Sequence, residues 1–373
     1  MAKLYSSVAC NLDAALLHAC YPLLEEARVE AIEWSFDALY QRNEIPDWFS
    51  ALLHAYAQED RLIAHGVFFS LFSGRWKQEQ TAWLKLLQET SREFRFDHVT
   101  EHFGFMTGRD FHHGAPLNIP YNAATLAIGR DRLARIQDAC NAPVGLENLA
   151  FSYCLDDVKR HGSFLEQLIE PVNGFIILDL HNMYCQLHNF SLDFEKLIGL
   201  YPLDRVREIH ISGGSWQPHD LAPGLNVRRD THDEGVPKEV FEILRRTIPL
   251  CPNLKFVVME QLGSGLLSSE SRTLFYDDFV TMQQLVKDCE RATPSIESFL
   301  PISCKLPATP LSDELLHQQQ LELSAILETA MHLDDAMERL SLSSLAHSDW
   351  KVEDWQPYML DAAIEIAKKW KRS

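Results

Sequence analysis

Eight short apolar segments alternate with amphipathic stretches along residues 1–290 of this 373-residue chain, and this alternation constrains the fold more than any other feature. Apolar runs of this kind are typical of parallel strands that helices cover on both faces. Eight such strands predict an α/β fold, a (β/α)8 TIM barrel, with a doubly wound open sheet as the competing architecture. We place the strands at Tyr5–Ala9, Val29–Trp34, Leu62–His65, His98–Thr100, Val144–Glu147, Phe175–Asp179, Glu208–Ser212 and Phe256–Glu260.

The connections between these strands carry helical periodicity, because their apolar residues return every three or four positions. Helices between successive strands are what a barrel requires. The predicted helices are Trp83–Phe94, Ala123–Cys140, Phe164–Ile169, Phe194–Gly199 and Lys238–Thr247.

The sequence changes character after about residue 290, where four prolines interrupt Ala292–Leu311. One long helix is predicted from Ser312, as its N-cap, to Leu340, and a second over Pro357–Lys371. We therefore expect two domains, a catalytic barrel over residues 1–290 and a linker with an α-helical extension over residues 291–373. The extension could pack on the barrel, form a dimer contact or hold a partner.

Composition excludes several classes of function. The formal net charge of −19 argues against nucleic-acid binding, which depends on clustered Lys and Arg. No apolar segment approaches the roughly 18 residues that a membrane span needs, and the chain does not open with a signal peptide. The eight cysteines form no C-x-x-C pair, so a disulfide scaffold is disfavoured and a cytoplasmic location is expected.

Six consecutive predicted strands each end in a residue of a type that binds metals. In a TIM barrel the functional residues lie where the strands end, so these side chains should converge at one mouth. The loop after the seventh strand adds two more at D-x-H spacing. The residues are His65, His102, Glu147, Asp179, His210 and Glu260 at the strand ends and Asp230 and His232 in the loop.

Acids and imidazoles crowded in this way repel or lose their charge unless cations lie among them. The set is too large for one four-coordinate ion, so two or three metal ions are implied. Oxygen and imidazole ligands without thiolate are compatible with iron, manganese or zinc. On pleat geometry, His181 in the segment "IILDLHN" would share a face with Asp179 and be the tempting second ligand.

These segments resemble the multinuclear non-heme iron-dependent oxidative enzymes (MNIO family), which include the methanobactin-biosynthesis oxidase and the 3-thiaglutamate-pathway enzyme. Seven short matches occur in the order of the family, which has a barrel similar to xylose isomerase. The matching segments are AHGVFFSL (64–71), TEHFGF (100–105), GLENLA (145–150), ILDLHNMY (177–184), EIHISG (208–213), RRDTHDEGVP (228–237) and VVMEQLG (257–263).

The resemblance implies three iron positions, of which the first two share Glu147 as a bridge. Their ligands would be His65, His102 and Glu147 for the first, Glu147, Asp179, His210 and Glu260 for the second, and Asn182, Asp230 and His232 for the third. Glu147, Asp179 and His210 would be central to catalysis. Asn182, where the strand gives way to a loop, would replace His181 as the ligand, and His181 would lie beside the ligands or pack.

The implied activity is oxidation of a cysteine in a ribosomally synthesised precursor peptide. The cofactors would be two or three irons of mixed Fe(II)/Fe(III) state, with dioxygen as co-substrate. The thiolate would bind Fe(III) and an iron-superoxo species would abstract a β-hydrogen, leading to β-carbon excision or to an oxazolone and thioamide. The implied partners are the peptide and a small protein that recognises its leader.

Two alternatives from other classes stay open. A divalent-metal sugar isomerase or an endonuclease IV-like hydrolase would also place His, Glu and Asp at barrel strand ends. A non-catalytic barrel whose helical extension binds a partner would hold no stoichiometric metal. The sequence also predicts a solvated basic pair, formed by Arg228 and Arg229 just before Asp230.

Overall fold

The computed structural model describes residues 3–39, 45–107, 114–218, 226–289 and 298–370. Eight parallel strands form a closed barrel in which each strand pairs with its neighbours in sequence. The first strand pairs with the last, from Tyr5 opposite Phe256 to Val8 opposite Met259, so the sheet has no free edge and the open-sheet alternative is wrong. The barrel strands are β1 Tyr5–Ala9, β2 Ala31–Trp34, β3 Leu62–Gly66, β4 Val99–His102, β5 Val144–Glu147, β6 Phe175–Asp179, β7 Val206–Ile211 and β8 Phe256–Met259.

All eight predicted strands are confirmed, and the helices between them form the outer layer. The predicted helices Ala123–Cys140 and Lys238–Thr247 are matched residue for residue, whereas the helix predicted over Phe164–Ile169 begins nine positions earlier and spans Leu155–Ile169, named α5. The first turns of α5 carry charged residues, and Asp157 there accepts the N–H groups of Tyr153 and Cys154 at 3.0 and 3.2 Å, so its start lacks apolar periodicity. The helices are α1 Ala14–Glu25, α2 Asp47–Ala57, α3 Gln78–Glu93, α4 Ala123–Cys140, α5 Leu155–Ile169, α6 Leu180–Asn189, α7 Phe194–Ile198, α8 Lys238–Thr247 and α9 Ser269–Asp288.

The C-terminal extension contains three helices, α10 Glu314–Thr329, α11 Leu333–Ser341 and α12 Pro357–Trp370. The prediction of one helix from Ser312 to Leu340 is wrong, because Ala330 turns to an extended conformation and His332 caps a new helix. The N-cap of α10 is Asp313, whose carboxylate accepts the Leu316 N–H at 2.9 Å. The apolar stripe continues across the break because both helices face the same core. Pro294 and Lys371 lie outside the described residues.

The extension packs against loops that follow the barrel strands. The Gln320 amide accepts the Gly74 N–H and donates to the Phe72 carbonyl, at 2.9 and 2.7 Å. Trp355 stacks on Tyr153 with ring centroids 3.7 Å apart. The buried apolar residues of the extension and of the barrel form one continuous cluster. The division into two domains at residue 290 stays a prediction.

Two small antiparallel hairpins lie at the mouth of the barrel. In the first, Phe105–Met106 pairs with Pro116–Leu117, and in the second, Trp216–Pro218 pairs with Asn226–Arg228. The second follows β7 and leads into the loop that carries Asp230. Among the helices of the described ranges, none has the length and apolar character to cross a membrane.

Candidate metal centre

The six predicted strand-end residues converge at one mouth of the barrel, as the sequence predicts. Pairing of β4 with β5 sets His102 beside Glu147, and pairing of β6 with β7 sets Asp179 beside His210. Asp179 and His210 are fully buried, while Glu147 is 4% exposed. The barrel therefore holds carboxylates and imidazoles together away from bulk water.

The first group consists of His65, His102 and Glu147. The two imidazole Nε2 atoms lie 3.3 Å apart, and they lie 3.5 and 3.1 Å from Glu147 Oε2. Ligand atoms that are each about 2.1 Å from one ion lie roughly 3.0–3.5 Å from one another. The separations in this group therefore fit a shared metal ion.

The second group consists of Glu147, Asp179, His210 and Glu260, each of which offers a ligand atom within 4.8 Å of the others. His210 Nδ1 lies 3.2 Å from Glu260 Oε2 and 3.8 Å from Glu147 Oε1. Glu147 thus points one carboxylate oxygen toward each group. A carboxylate in this position can bridge two metal ions.

The predicted third group is only partly assembled. His232 Nε2 lies 2.9 Å from Asp230 Oδ1 and 3.9 Å from Glu260 Oε2, so this pair adjoins the second group. Asn182 instead donates its amide to Glu147 Oε1 at 3.3 Å and to the Asn148 carbonyl at 2.8 Å. A third ion held by Asn182, Asp230 and His232 stays a prediction.

Some buried polar atoms among these side chains have no hydrogen-bond partner. Asp179 Oδ2 and Asn182 Oδ1 are buried and make no hydrogen bond. Burial raises the pKa of the Asp179 carboxyl well above its usual range, and the charges of Asp230 and Glu147 raise it further. Unpaired lone pairs beside crowded carboxylates are costly without a positive charge, so the donor set fits metal ions.

The two histidines at the centre are held in orientations suited to metal binding. Burial lowers the pKa of His65 to about 4, so its imidazole is neutral. Its Nδ1 lies 2.8 Å from the Thr100 hydroxyl, which itself donates to the Ala64 carbonyl. His65 Nδ1 must therefore carry the proton, and the Nε2 lone pair faces the other ligands.

Two buried glutamates that were not predicted from the sequence contact the Nε2 side of the His210 imidazole. Its Nε2 lies 3.1 Å from Glu33 Oε2 and 3.4 Å from Glu208 Oε1, which leaves Nδ1 for the metal side. Glu33, Glu208 and His210 also lie close enough together to hold a metal ion. A hydrogen bond from His210 Nε2–H to these carboxylates explains the short distances without one. Spacing could have revealed Glu208, since residues i and i+2 of a strand share a face.

The segment "IILDLHN" passes directly from strand to helix, so the predicted loop after Asp179 is wrong. The Asp179 carboxylate is the N-cap of α6 and accepts the Asn182 N–H at 2.5 Å. The turn of helix places Asn182 beside Glu147. His181 is fully buried on another side, with Nδ1 3.0 Å from Asp230 Oδ1.

Arg228 is not the solvated residue that the sequence suggested. It is 3% exposed, and its guanidinium lies 4.8 Å from the centroid of the Trp216 ring and 5.6 Å from that of Tyr184. Stacking between aromatic rings allows a guanidinium to be buried while its N–H groups still donate. Its neighbour Arg229 is half-buried, and its guanidinium donates a hydrogen bond to the side-chain oxygen of Gln217.

Two glycines after β7 allow the loop with Asp230 and His232 to close on the mouth. A Cβ at Gly213 would lie 2.0 Å from the Gly235 carbonyl oxygen, and one at Gly214 would lie 2.2 Å from that of Arg229. Any side chain at these positions would push the loop away from the strand.

The model of the family described as RiPP precursor modification enzyme MbnB/TglH/ChrH matches residues 33–261, which contain every strand-end residue discussed above. The chain belongs to this family. RiPP denotes a ribosomally synthesised and post-translationally modified peptide. The description of the MbnB/TglH/ChrH family is thus of enzymes that modify a precursor peptide.

Relatives of this MbnB/TglH/ChrH member include UPF0276 proteins. One from Chromobacterium violaceum is 31% identical over 152 residues, covering 40% of the chain and 52% of the relative. One from Acaryochloris marina is 26% identical over 187 residues, covering 49% and 64%. The chain thus spans about half the length of the first of these relatives.

Solved structures similar to this MbnB/TglH/ChrH member include an epimerase and a xylose isomerase-like TIM barrel protein. An L-ribulose 3-epimerase matches with a TM-score of 0.49 and 13% identity, covering 77% of the chain and 95% of that structure. A xylose isomerase-like TIM barrel protein from Mycobacterium smegmatis, in complex with magnesium, matches with a TM-score of 0.45 and 14% identity, covering 76% and 96%.

Proposed function

We propose that this enzyme uses non-heme iron and dioxygen to oxidise a cysteine residue of its precursor peptide. The observation that carries the proposal is the Glu147 carboxylate, which faces His65 and His102 with one oxygen and His210 with the other. A bridging carboxylate among imidazoles and acids suits a multinuclear iron centre. Family membership supports the peptide substrate.

His65, His102 and Glu147 would hold one ion, and Glu147, Asp179, His210 and Glu260 would hold the second. Iron bound there would supply a position for the substrate thiolate and electrons for the reduction of dioxygen. The protein's own part is to hold these ligands in place and to exclude water from them. Thr100 orients His65, and Glu33 and Glu208 orient His210.

The third position, with Asn182, Asp230 and His232, would complete the centre, and a small leader-recognition protein is proposed as partner. We also propose the division of the chain into a catalytic barrel over residues 1–290 and a linker with an α-helical extension over residues 291–373.

The proposal is tested by purifying the protein without oxygen, measuring its metals, and incubating it with a cysteine-bearing precursor peptide encoded beside its gene. We expect two or three irons per chain and a mass change in the peptide that requires both oxygen and the cysteine. A peptide in which serine replaces that cysteine is the control. Stoichiometric zinc together with oxygen-independent turnover would overturn the proposal and favour a hydrolase or isomerase.

Replacement of Asn182 by alanine should remove about one metal ion per chain while the other ions stay bound. The reason is that Asn182 Oδ1 is a buried acceptor without a partner, and that the first group has three other ligands of its own, His65, His102 and Glu147. Metal analysis by mass spectrometry measures the loss, with Gln318→Ala on the surface of α10 as the matched amide control. Loss of all ions at once, or of none, would show that Asn182 serves no separate position.

A further inference from the structure

A series of hydrogen bonds that begins at α12 connects the C-terminal extension to the candidate metal centre. The Tyr358 hydroxyl donates to the Asn189 carbonyl, the last residue of α6, at 2.7 Å. Tyr358 is half-buried, so water competes only partly for this bond. The contact fixes the end of α6 to the extension.

Asn189 then holds the backbone of Arg228 at both of its polar groups. Its Oδ1 accepts the Arg228 N–H at 2.8 Å, and its Nδ2 donates to the Arg228 carbonyl at 3.0 Å. This two-point contact resembles the pairing of a neighbouring strand. It fixes the strand Asn226–Arg228 just before the loop that carries Asp230.

The Arg228 side chain links this strand to the candidate metal centre through His181. Its Nε–H donates to His181 Nε2 at 3.2 Å, which requires His181 to keep its proton on Nδ1. That proton points at Asp230 Oδ1, 3.0 Å away. Because an arginine does not lose its proton, the tautomer of His181 and the direction of this bond are fixed.

We propose that the C-terminal extension positions Asp230 for metal binding through the series Tyr358, Asn189, Arg228, His181 and Asp230. The inference rests on the proposed function, since it assigns Asp230 to a metal ion. α12 also packs directly on the strand Asn226–Arg228, and its Glu365 interacts electrostatically with Arg229. The extension is thus a working part of the metal centre, and Tyr358 and Arg228 are positioning residues.

The test compares Tyr358→Phe and Arg228→Lys with the full-length wild type in anaerobic Fe(II) titrations. Residues that orient metal ligands typically change metal affinity about 10–100-fold. We expect the dissociation constant of one ion to rise about 10-fold or more in Arg228→Lys and roughly 3–10-fold in Tyr358→Phe, a single neutral hydrogen bond. The other ions should bind as in the wild type.

Two further measurements separate positioning from general destabilisation. Asp230→Asn identifies the ion concerned, which should be the one that both variants weaken. Tyr21→Phe, which alters an exposed hydroxyl on α1, is the control. The melting temperature of the metal-free protein should change little in Tyr358→Phe, whereas equal weakening of all ions together with a lower melting temperature would overturn the inference.

The outcomes also separate this inference from the proposed function. Wild type that binds no iron would reject both. Wild type that binds iron, but loses no ion in Asp230→Asn, would overturn the inference and leave the iron enzyme standing. Unchanged binding of every ion in both Tyr358→Phe and Arg228→Lys would also overturn the inference and leave the proposed iron enzyme standing.

Discussion

Replacing Glu147 by glutamine is expected to leave less than about one metal ion per chain and to reduce peptide oxidation by more than about 100-fold. Glu147 faces both ligand groups, 3.1 Å from His102 Nε2 with one oxygen and 3.8 Å from His210 Nδ1 with the other. Glutamine keeps the size of the side chain but removes its charge and one of its two acceptors. Since loss of residues that only orient a ligand already costs 10–100-fold, loss of a shared ligand should cost more.

Metal content and turnover should be measured on the same anaerobic preparation. Glu166→Gln on the exposed face of α5 makes the same chemical change outside the site and should retain both metal and activity. A Glu147→Gln protein that still holds two ions would contradict the bridging role. Metal-free protein that stays folded would show that the loss is local to the centre.

Replacing Asp97 by asparagine should lower the free energy of unfolding by about 3–5 kcal/mol, as expected when one partner of a buried ion pair is removed. Asp97 lies at the opposite end of the barrel, where its carboxylate contacts Arg207 at 2.7 Å, His98 at 2.8 Å, and Lys255. Asparagine would leave the Arg207 and Lys255 cations without this counter-charge. Urea unfolding measures the change, and Asp193→Asn at an exposed helix start is the control.

The same substitution should alter the response to acid. Burial alone would raise the pKa of Asp97, but His98 and Arg207 hold it well below its usual range. A carboxyl with a depressed folded-state pKa contributes its full stability above its unfolded pKa of about 3.9, and loses that stability as the pH falls toward the folded value. Asp97→Asn should therefore lose less stability than the wild type below about pH 4. Parallel acid-unfolding curves for both proteins would contradict this role.

Several strands were predictable because they are local runs of apolar residues that end in one polar residue. Phe175–Asp179 and Val144–Glu147 end where the sequence places them, since burial on both faces leaves no polar residue inside the run. The polar residue at each end then predicted the mouth of the barrel. Local pattern and global fold agree at these positions.

Contacts between distant parts of the chain were not predictable. Glu33 lies 177 positions from His210, and no spacing within either strand reveals that the two side chains meet. Arg228 looked like a surface charge because its aromatic neighbours come from other segments. The break at Ala330 was hidden for a different reason, because the apolar stripe runs on through it. Periodicity reports which face is buried but does not report what lies against it.

A series of ionisable side chains extends from the metal centre of this barrel toward its opposite end. His210 contacts Glu208, Glu208 contacts His98 at 2.7 Å, and His98 contacts Asp97 near the far end. Most barrels fill this space with branched aliphatic side chains, which are indifferent to charge. Transplanting the metal ligands of this enzyme into an ordinary barrel would therefore fail unless the charged column beneath them were transplanted as well.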